Sequence, residues 1–197
     1  MRVVGGAFSG RRLVFGGKGA SEAQLRPTSD RVRESLFSII EHGNYPSLKA
    51  VRVLDLFAGT GALGIEALSR GAARACFVEN HAIARSLIRE NLEALDLLHR
   101  GKIYRRDATH LGPNRGDPFQ YLFSDPPYGR ELAPKAVRSA LCHGWLAHDA
   151  VLVSERARAD PILDEQALIH CETRRFGDTA IDFFRVDSAS IAVEERI

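Results

Sequence analysis

The sequence predicts a doubly wound α/β domain with a mostly parallel sheet and an antiparallel last strand, preceded by a small N-terminal hairpin-and-helix extension. Three observations carry this. From Lys49 onward, strand-like and helix-like segments alternate, which implies a parallel sheet covered by helices on both faces. A glycine-rich turn, Gly59-Thr60-Gly61-Ala62-Leu63-Gly64, lies directly between the first such strand and its helix. The last two strand-like segments are joined by Phe176-Gly177-Asp178, a hairpin signal that reverses the final strand.

The elements follow in order. Val3-Val4, Phe8 and Leu13-Val14-Phe15 are strand formers separated by glycines, and they predict a hairpin over 1–19. A loop closes with Arg26-Pro27, and Thr28, Ser29 or Asp30 can cap a helix running to about His42. Its apolar face is Val32, Leu36, Phe37, Ile39 and Ile40, and Gly43-Asn44-Tyr45-Pro46 breaks it. Strands are expected at 51–57, 75–79, 102–105, 121–124, 150–154, 168–175 and 180–186, with helices at 62–69, 81–97 and 132–145. Gly71 ends the first of these helices, and Trp145 at the end of the third reads as core. The chain divides into an extension over 1–45, a main domain over 46–188 and a loose tail over 189–197.

At 197 residues, with 45% hydrophobic and 26% charged, the composition is that of a globular chain with one substantial domain. No apolar run approaches the ~20 residues of a membrane span, and no apolar leader opens the sequence. Cys76, Cys142 and Cys171 are odd in number and far apart, so neither a disulfide framework nor a zinc site is expected. The seven histidines show no metal spacing, and His81, His99 and His110 read as surface or capping residues. The expectation is a cytoplasmic protein without a metal and without a membrane partner. Net charge is only +2, but residues 1–35 hold seven basic against three acidic side chains, a local +4. A basic arm on a near-neutral body suits a polyanionic partner.

The loop at 59–64 matches G-x-G-x-x-G after a strand, where glycines let the backbone turn sharply and approach a ligand. Glu79 ends the second strand, where an acid can bind both hydroxyls of an adenosine ribose. This fingerprint alone fits a dinucleotide site as well as an S-adenosylmethionine site. Asp55 tilts the choice, because a carboxylate there repels a pyrophosphate at the helix N-terminus and favours a sulfonium and an ammonium. Asp107-Ala108 follow the third strand, where an acid can accept from an adenine amino group; a turn or helix cap is the competing role for Asp107.

The fourth strand ends in Asp125-Pro126-Pro127-Tyr128. Ligands of open α/β sheets bind at the C-terminal strand ends, so this segment should border the same pocket. Consecutive prolines fix φ and give up two donors, which holds their carbonyls rigidly. An exocyclic base amine is a poor nucleophile because its lone pair is delocalised into the ring. Acceptors at Asp125 and the Pro126 carbonyl could hold both N–H bonds and aim the lone pair at a methyl donor. Tyr128 would stack on a flipped base.

Together these residues resemble the amino-methyltransferase branch of the class I S-adenosylmethionine-dependent methyltransferases. More narrowly, the chain resembles the bacterial methyltransferase D family that acts on a guanine N2 of small-subunit ribosomal RNA. The resemblance covers almost the full length. It includes Gly10-Arg11-Arg12-Leu13, Arg26-Pro27-Thr28 leading to Arg31-Val32-Arg33-Glu34, the stretch from Asp55 to Gly64, Ala67-Leu68-Ser69-Arg70-Gly71-Ala72, Asn91-Leu92, Asp125-Pro126-Pro127-Tyr128-Gly129 and Gly177-Asp178-Thr179. It departs at Asn80-His81, where a lysine or acid is usual, and at Ser124, where a larger apolar residue is common.

The resemblance implies a seven-stranded sheet with an antiparallel last strand, an extension that helps hold RNA, and a substrate within an assembling small ribosomal subunit. It implies Asp125, Pro126, Pro127 and Tyr128 as catalytic. Asp55, Phe57, Gly59, Thr60, Gly61, Glu79, Asn80, Asp107, Ala108 and Asp125 are implied for S-adenosyl-L-methionine, and Arg11, Arg12, Arg26, Thr28 and Arg31 for RNA. Two alternatives stay open on the motifs alone: a DNA adenine or protein glutamine amino-methyltransferase, and an RNA-binding assembly factor with a vestigial pocket.

Overall fold

A computed structural model of the chain describes residues 1–16, 29–127 and 132–187. Helix α1 spans Asp30–His42 and is followed by β1 (Arg52–Leu56), α2 (Ala62–Ser69), β2 (Arg74–Val78), α3 (Ala82–Ala94) and β3 (Gly101–Tyr104). Then come β4 (Phe119–Ser124), α4 (Leu132–Cys142), β5 (Leu146–Ala157), β6 (Leu168–Phe176) and β7 (Thr179–Val186). The seven strands form one sheet in the order β3-β2-β1-β4-β5-β7-β6. β1 pairs in parallel with β2 and β4, β2 with β3, and β4 with β5. β7 inserts antiparallel between β5 and β6. The predicted fold class is thus borne out.

The period-two alternation of the strands sorts the core into two layers. Val53, Phe77, Tyr121, Phe123 and Val153 face α1, α2 and α3 through Leu36, Phe37, Ile40, Ile65, Leu68, Ile88 and Leu92. Leu54, Leu56, Val78, Leu122 and Leu152 face α4 through Ala136, Val137 and Ala140. The strand order reverses between β1 and β4, so the crevice of a doubly wound sheet opens above that pair.

Local signals explain most boundaries. Ser29 caps α1, its side chain accepting from Val32 N–H at 3.3 Å. Gly71, at φ +104°, follows α2 as expected of a helix stop. Two expectations are corrected. The third helix of the main domain ends at Cys142, not Trp145, because Gly144 takes φ +66° and the chain turns directly into β5 at Leu146. Trp145 is nonetheless core, 3% exposed.

The second correction concerns the N-terminal hairpin. It reduces to a single antiparallel bridge, Arg2 with Arg12, around a 3-10 turn at Gly6–Phe8. Gly6 and Gly10 take φ of +74° and +83°, which ends extended pairing. Val3 N–H still donates to the Arg11 carbonyl (2.9 Å) and Leu13 N–H to that of Met1 (3.2 Å), but other amides of the segment go to helix side chains. Val4 N–H donates to Glu66 (2.8 Å), Phe8 N–H to Ser69 Oγ (3.0 Å) and Val14 N–H to Asn91 Oδ1 (2.6 Å). Val3 and Leu13 are buried in the same core as α1 and the sheet.

Candidate active site at the sheet switch point

The C-terminal ends of β1, β2 and β4 meet at the crevice. β1 hands over to Phe57, a non-glycine residue at φ +58°, then to Gly59 and Gly61 at φ +54° and +78°. A left-handed phenylalanine is strained backbone, held because its neighbours leave no alternative. α2 then starts at Ala62 and carries Gly64 in its first turn. A Cβ on Gly64 would lie 2.4 Å from the Phe77 ring, so the helix can pack this close to β2 only with glycine there.

Two carboxylates organise the loop and a third lies near them. Asp55, 1% exposed, accepts from Gly64 N–H at 2.9 Å and so pins the start of α2 beneath the turn. Glu79, 7% exposed, accepts from Gly59 N–H at 2.9 Å through one oxygen and from His81 N–H at 2.8 Å through the other. It therefore ties the glycine loop to the β2–α3 turn. Asp125, half-buried, lies close enough that its charge acts on Asp55. Burial raises the Asp55 carboxyl well above the usual carboxylate range, the Gly64 N–H pulls it partly back, and the charges of Asp125 and Glu79 add to the rise. Such a cluster favours a cation above the loop.

The remaining predicted positions distribute around this cluster. Thr60 is buried, and its carbonyl accepts from Asn91 Nδ2 at 3.0 Å. Asn80 is exposed beside Glu79, and its carbonyl accepts from Arg85 at 2.7 Å. Asp107 takes up the cap role: its Oδ1 accepts from Thr109 N–H (2.9 Å) and Thr109 Oγ1 (2.8 Å), which caps a 3-10 turn at Ala108–His110. Those bonds lower its pKa, and its side chain remains 54% exposed. Ala108 is buried behind it. Pro126 is buried and Pro127 exposed. Arg11, Arg12 and Arg31 are exposed. Tyr128, Arg26 and Thr28 lie outside the described residues.

Two residues bear on the site that sequence reasoning left as pattern. Asn91 reaches from α3 to both Thr60 and Val14, donating to each carbonyl and accepting from Val14 N–H. Arg70 closes α2 against α1 by pairing with Glu66 (2.8 Å) and Glu41 (2.6 Å). The signal for Asn91 was present: a polar residue within an apolar stripe needs a partner.

A seven-stranded sheet with one inserted antiparallel strand, a glycine loop over Asp55 and Asp-Pro-Pro at the switch point together define a class I methyltransferase. The comparisons agree. A family model described as "Conserved hypothetical protein 95" matches residues 1–185. The Ribosomal RNA small subunit methyltransferase D of Escherichia coli K12 is 36% identical over 79% of this chain and 74% of its own length. Bacillus subtilis "Putative rRNA methyltransferase YlbH" is 38% identical over 80% of this chain and 83% of its own. The solved structure of "Putative methyltransferase yhhF" from Escherichia coli superposes with a TM-score of 0.80 at 31% identity, covering 95% of this chain and 98% of that one. The chain belongs to the ribosomal RNA small subunit methyltransferase D family.

Proposed function

We propose that the protein transfers a methyl group from S-adenosyl-L-methionine to the exocyclic N2 amine of a guanine in small-subunit ribosomal RNA. In this reading its substrate is an assembling small ribosomal subunit in the cytoplasm. The extension over 1–45 helps hold RNA, and 46–188 carries the cofactor and the chemistry; the tail over 189–197 lies outside the described residues. Among the described residues no helix is long and apolar enough to cross a membrane. The names of the relatives support ribosomal RNA as the substrate class.

The observation that carries the reading is the joining of Asp55, Glu79 and Asp125 around one glycine loop at the switch point. The donor set fits the cofactor. Three acids suit a sulfonium and an ammonium, and Gly59 and Gly61 hold backbone conformations that keep side chains out of the turn. Asp55, Phe57, Gly59, Thr60 and Gly61 would cradle the amino-acid part, Glu79 and Asn80 the ribose, and Asp107 with Ala108 the adenine. When bound, S-adenosylmethionine supplies an electrophilic methyl carbon on a cationic sulfur.

The chain's own residues do the rest. Asp125 and the Pro126 carbonyl accept the two N–H bonds of the target amine, which orients its lone pair toward the methyl carbon. The rigid Asp125-Pro126-Pro127 backbone holds those acceptors in place before the base arrives. Asp125 would also take the proton that leaves the amine nitrogen once it is methylated. Tyr128 stacks on the flipped base. Arg11, Arg12, Arg26, Thr28 and Arg31 contact the RNA backbone.

The test uses tritiated S-adenosylmethionine with small subunits, free small-subunit RNA and DNA from a strain lacking the enzyme. Label in subunits recovered as N2-methylguanine is expected. Asp125→Ala should cut kcat by roughly 100-fold or more while cofactor affinity by calorimetry stays within a few fold. Label in DNA or protein would replace the substrate reading. A protein that binds no S-adenosylmethionine would be a binding factor instead.

A further inference from the structure

The crossover from β3 to β4 contains no α-helix. Between Tyr104 and Phe119 it holds only the 3-10 turn at Ala108–His110. The face of the sheet beside β2 and β3 is therefore left without a helical cover near the strand starts, and a cavity of about 220 Å³ opens there. Arg52 and Arg74 are the first residues of β1 and β2, so the cavity lies at the opposite end of the strands from the candidate active site. Five residues of strand separate the two ends by roughly 16 Å.

Its lining is strongly basic. Arg52, Arg74, Arg100, Lys102 and Arg115 all line it, and among the described residues no Asp or Glu does. Among the described residues only Arg52 has a carboxylate partner, Asp117 at 2.7 Å. The heads of Arg74, Arg100 and Lys102 are held by neutral groups. Arg74 donates to the His99 carbonyl (2.8 Å), and Arg100 to the carbonyls of Leu68 (3.1 Å) and Ala72. Lys102 lies 4.5 Å over the Tyr104 ring, and the Arg52 guanidinium 5.1 Å over Phe119. Carbonyls and rings position a cation without cancelling its charge, so four of the five remain uncompensated. Among the described residues Arg52 Nε is a buried donor with no acceptor. Cys76 adds no negative charge, because burial pushes its thiol up to about 12.

The cavity is also built rigidly. Trp145 forms its floor, stacked on Phe119 at 6.0 Å and bonded through Nε1 to the Gly112 carbonyl at 2.7 Å. The loop that carries Arg115 is fastened by Asn114, whose side chain donates to the carbonyls of Gly116 (3.0 Å) and Gly144 (3.1 Å). A concave, aromatic-floored pocket with excess positive charge and an orphan donor is complementary to a phosphate group.

We propose that this basic cavity at the start of the strands binds phosphate groups of the RNA backbone away from the target nucleotide, as a second anchor opposite the active site. The proposal deepens the RNA-methyltransferase reading and rests on it for the identity of the polyanion. Lys102 and Arg115 are exposed and, among the described residues, bonded to no backbone carbonyl, so Lys102→Gln with Arg115→Gln should leave the fold intact.

The measurement is binding to small-subunit RNA by fluorescence anisotropy across salt concentrations, with methylation of small subunits in parallel. The double variant should bind roughly tenfold more weakly, and the slope of log K against log salt should fall by about 1.5. The KM for subunits should rise while kcat and S-adenosylmethionine affinity hold. Arg89→Gln with Arg158→Gln, two exposed arginines elsewhere, is the charge control. An equal loss in the control overturns the proposal, since bulk charge then explains it. An unchanged RNA slope with weakened tripolyphosphate binding overturns it in favour of a free small phosphate, and no change in either overturns it outright. If wild-type protein methylates no RNA but the slope difference persists, the anchor stands and the functional reading falls.

Discussion

Asp55 is the residue on which the site's electrostatics turn. Its carboxyl is buried, holds Gly64 N–H and faces two further acids, so it keeps its proton to higher pH than an exposed aspartate. The folded state then binds more protons than the unfolded chain between the ordinary value of 3.8 and the raised one. Stability must fall as pH rises through that window. Asp55→Asn keeps an acceptor for Gly64 and removes the titration, so urea unfolding at pH 4.5 and 7.5 should show a smaller loss in the variant. A cation bound above the loop favours the ionised acid. S-adenosylmethionine binding within that pH window should therefore release protons, seen by calorimetry in buffers of different ionisation enthalpy and diminished in Asp55→Asn. Gly64→Ala drives a methyl group to 2.4 Å from Phe77 and should cost about 1–3 kcal/mol.

At the scale of elements, α2 and the N-terminal segment form one unit. Glu66, Ser69 and Asn91 together receive three backbone amides from residues 4–14. Asn91→Leu removes the partner of the buried Thr60 carbonyl and of the partly buried Val14 backbone and should destabilise by about 1–3 kcal/mol, with faster hydrogen exchange at Val14. These ties also mark the limit of what the sequence could reveal. β1, α2 and the glycine turn were legible because periodicity, Gly59, Gly61 and Gly71 all agree. Asp125 was legible because a largely apolar strand runs into it and the two prolines after it cannot continue that strand. The extent of the N-terminal hairpin was overread because Val4, Phe8 and Val14 carry strand propensity, whereas their amides find partners 60 to 80 residues away on α2 and α3. The end of α4 was misread because Trp145 continues an apolar pattern that Gly144 has already interrupted.

For the whole molecule, charge is arranged around the sheet instead of summed into a large net value. The chain is only +2, yet exposed Arg11, Arg12 and Arg31 lie on the N-terminal extension and a second basic group lies at the strand starts. Replacing Arg11, Arg12 and Arg31 with glutamine should reduce the salt slope of RNA binding by about 2 and leave S-adenosylmethionine affinity unchanged. An unaltered slope would assign those arginines to folding alone.

The insertion of β7 between β5 and β6 has a consequence for biosynthesis. β5 and β6 are both translated before the strand that joins them. While residues 179–186 remain within the ribosome, β5 presents an open edge of apolar residues (Val151, Leu152 and Val153), and β6 has no neighbour. The sheet closes only when the last described strand emerges. A chain stalled or cleaved before Thr179 would retain the glycine loop and Asp125 but expose a strand edge prone to pairing with another copy. Until residues 179–186 are free to pair, the sheet stays open at β5.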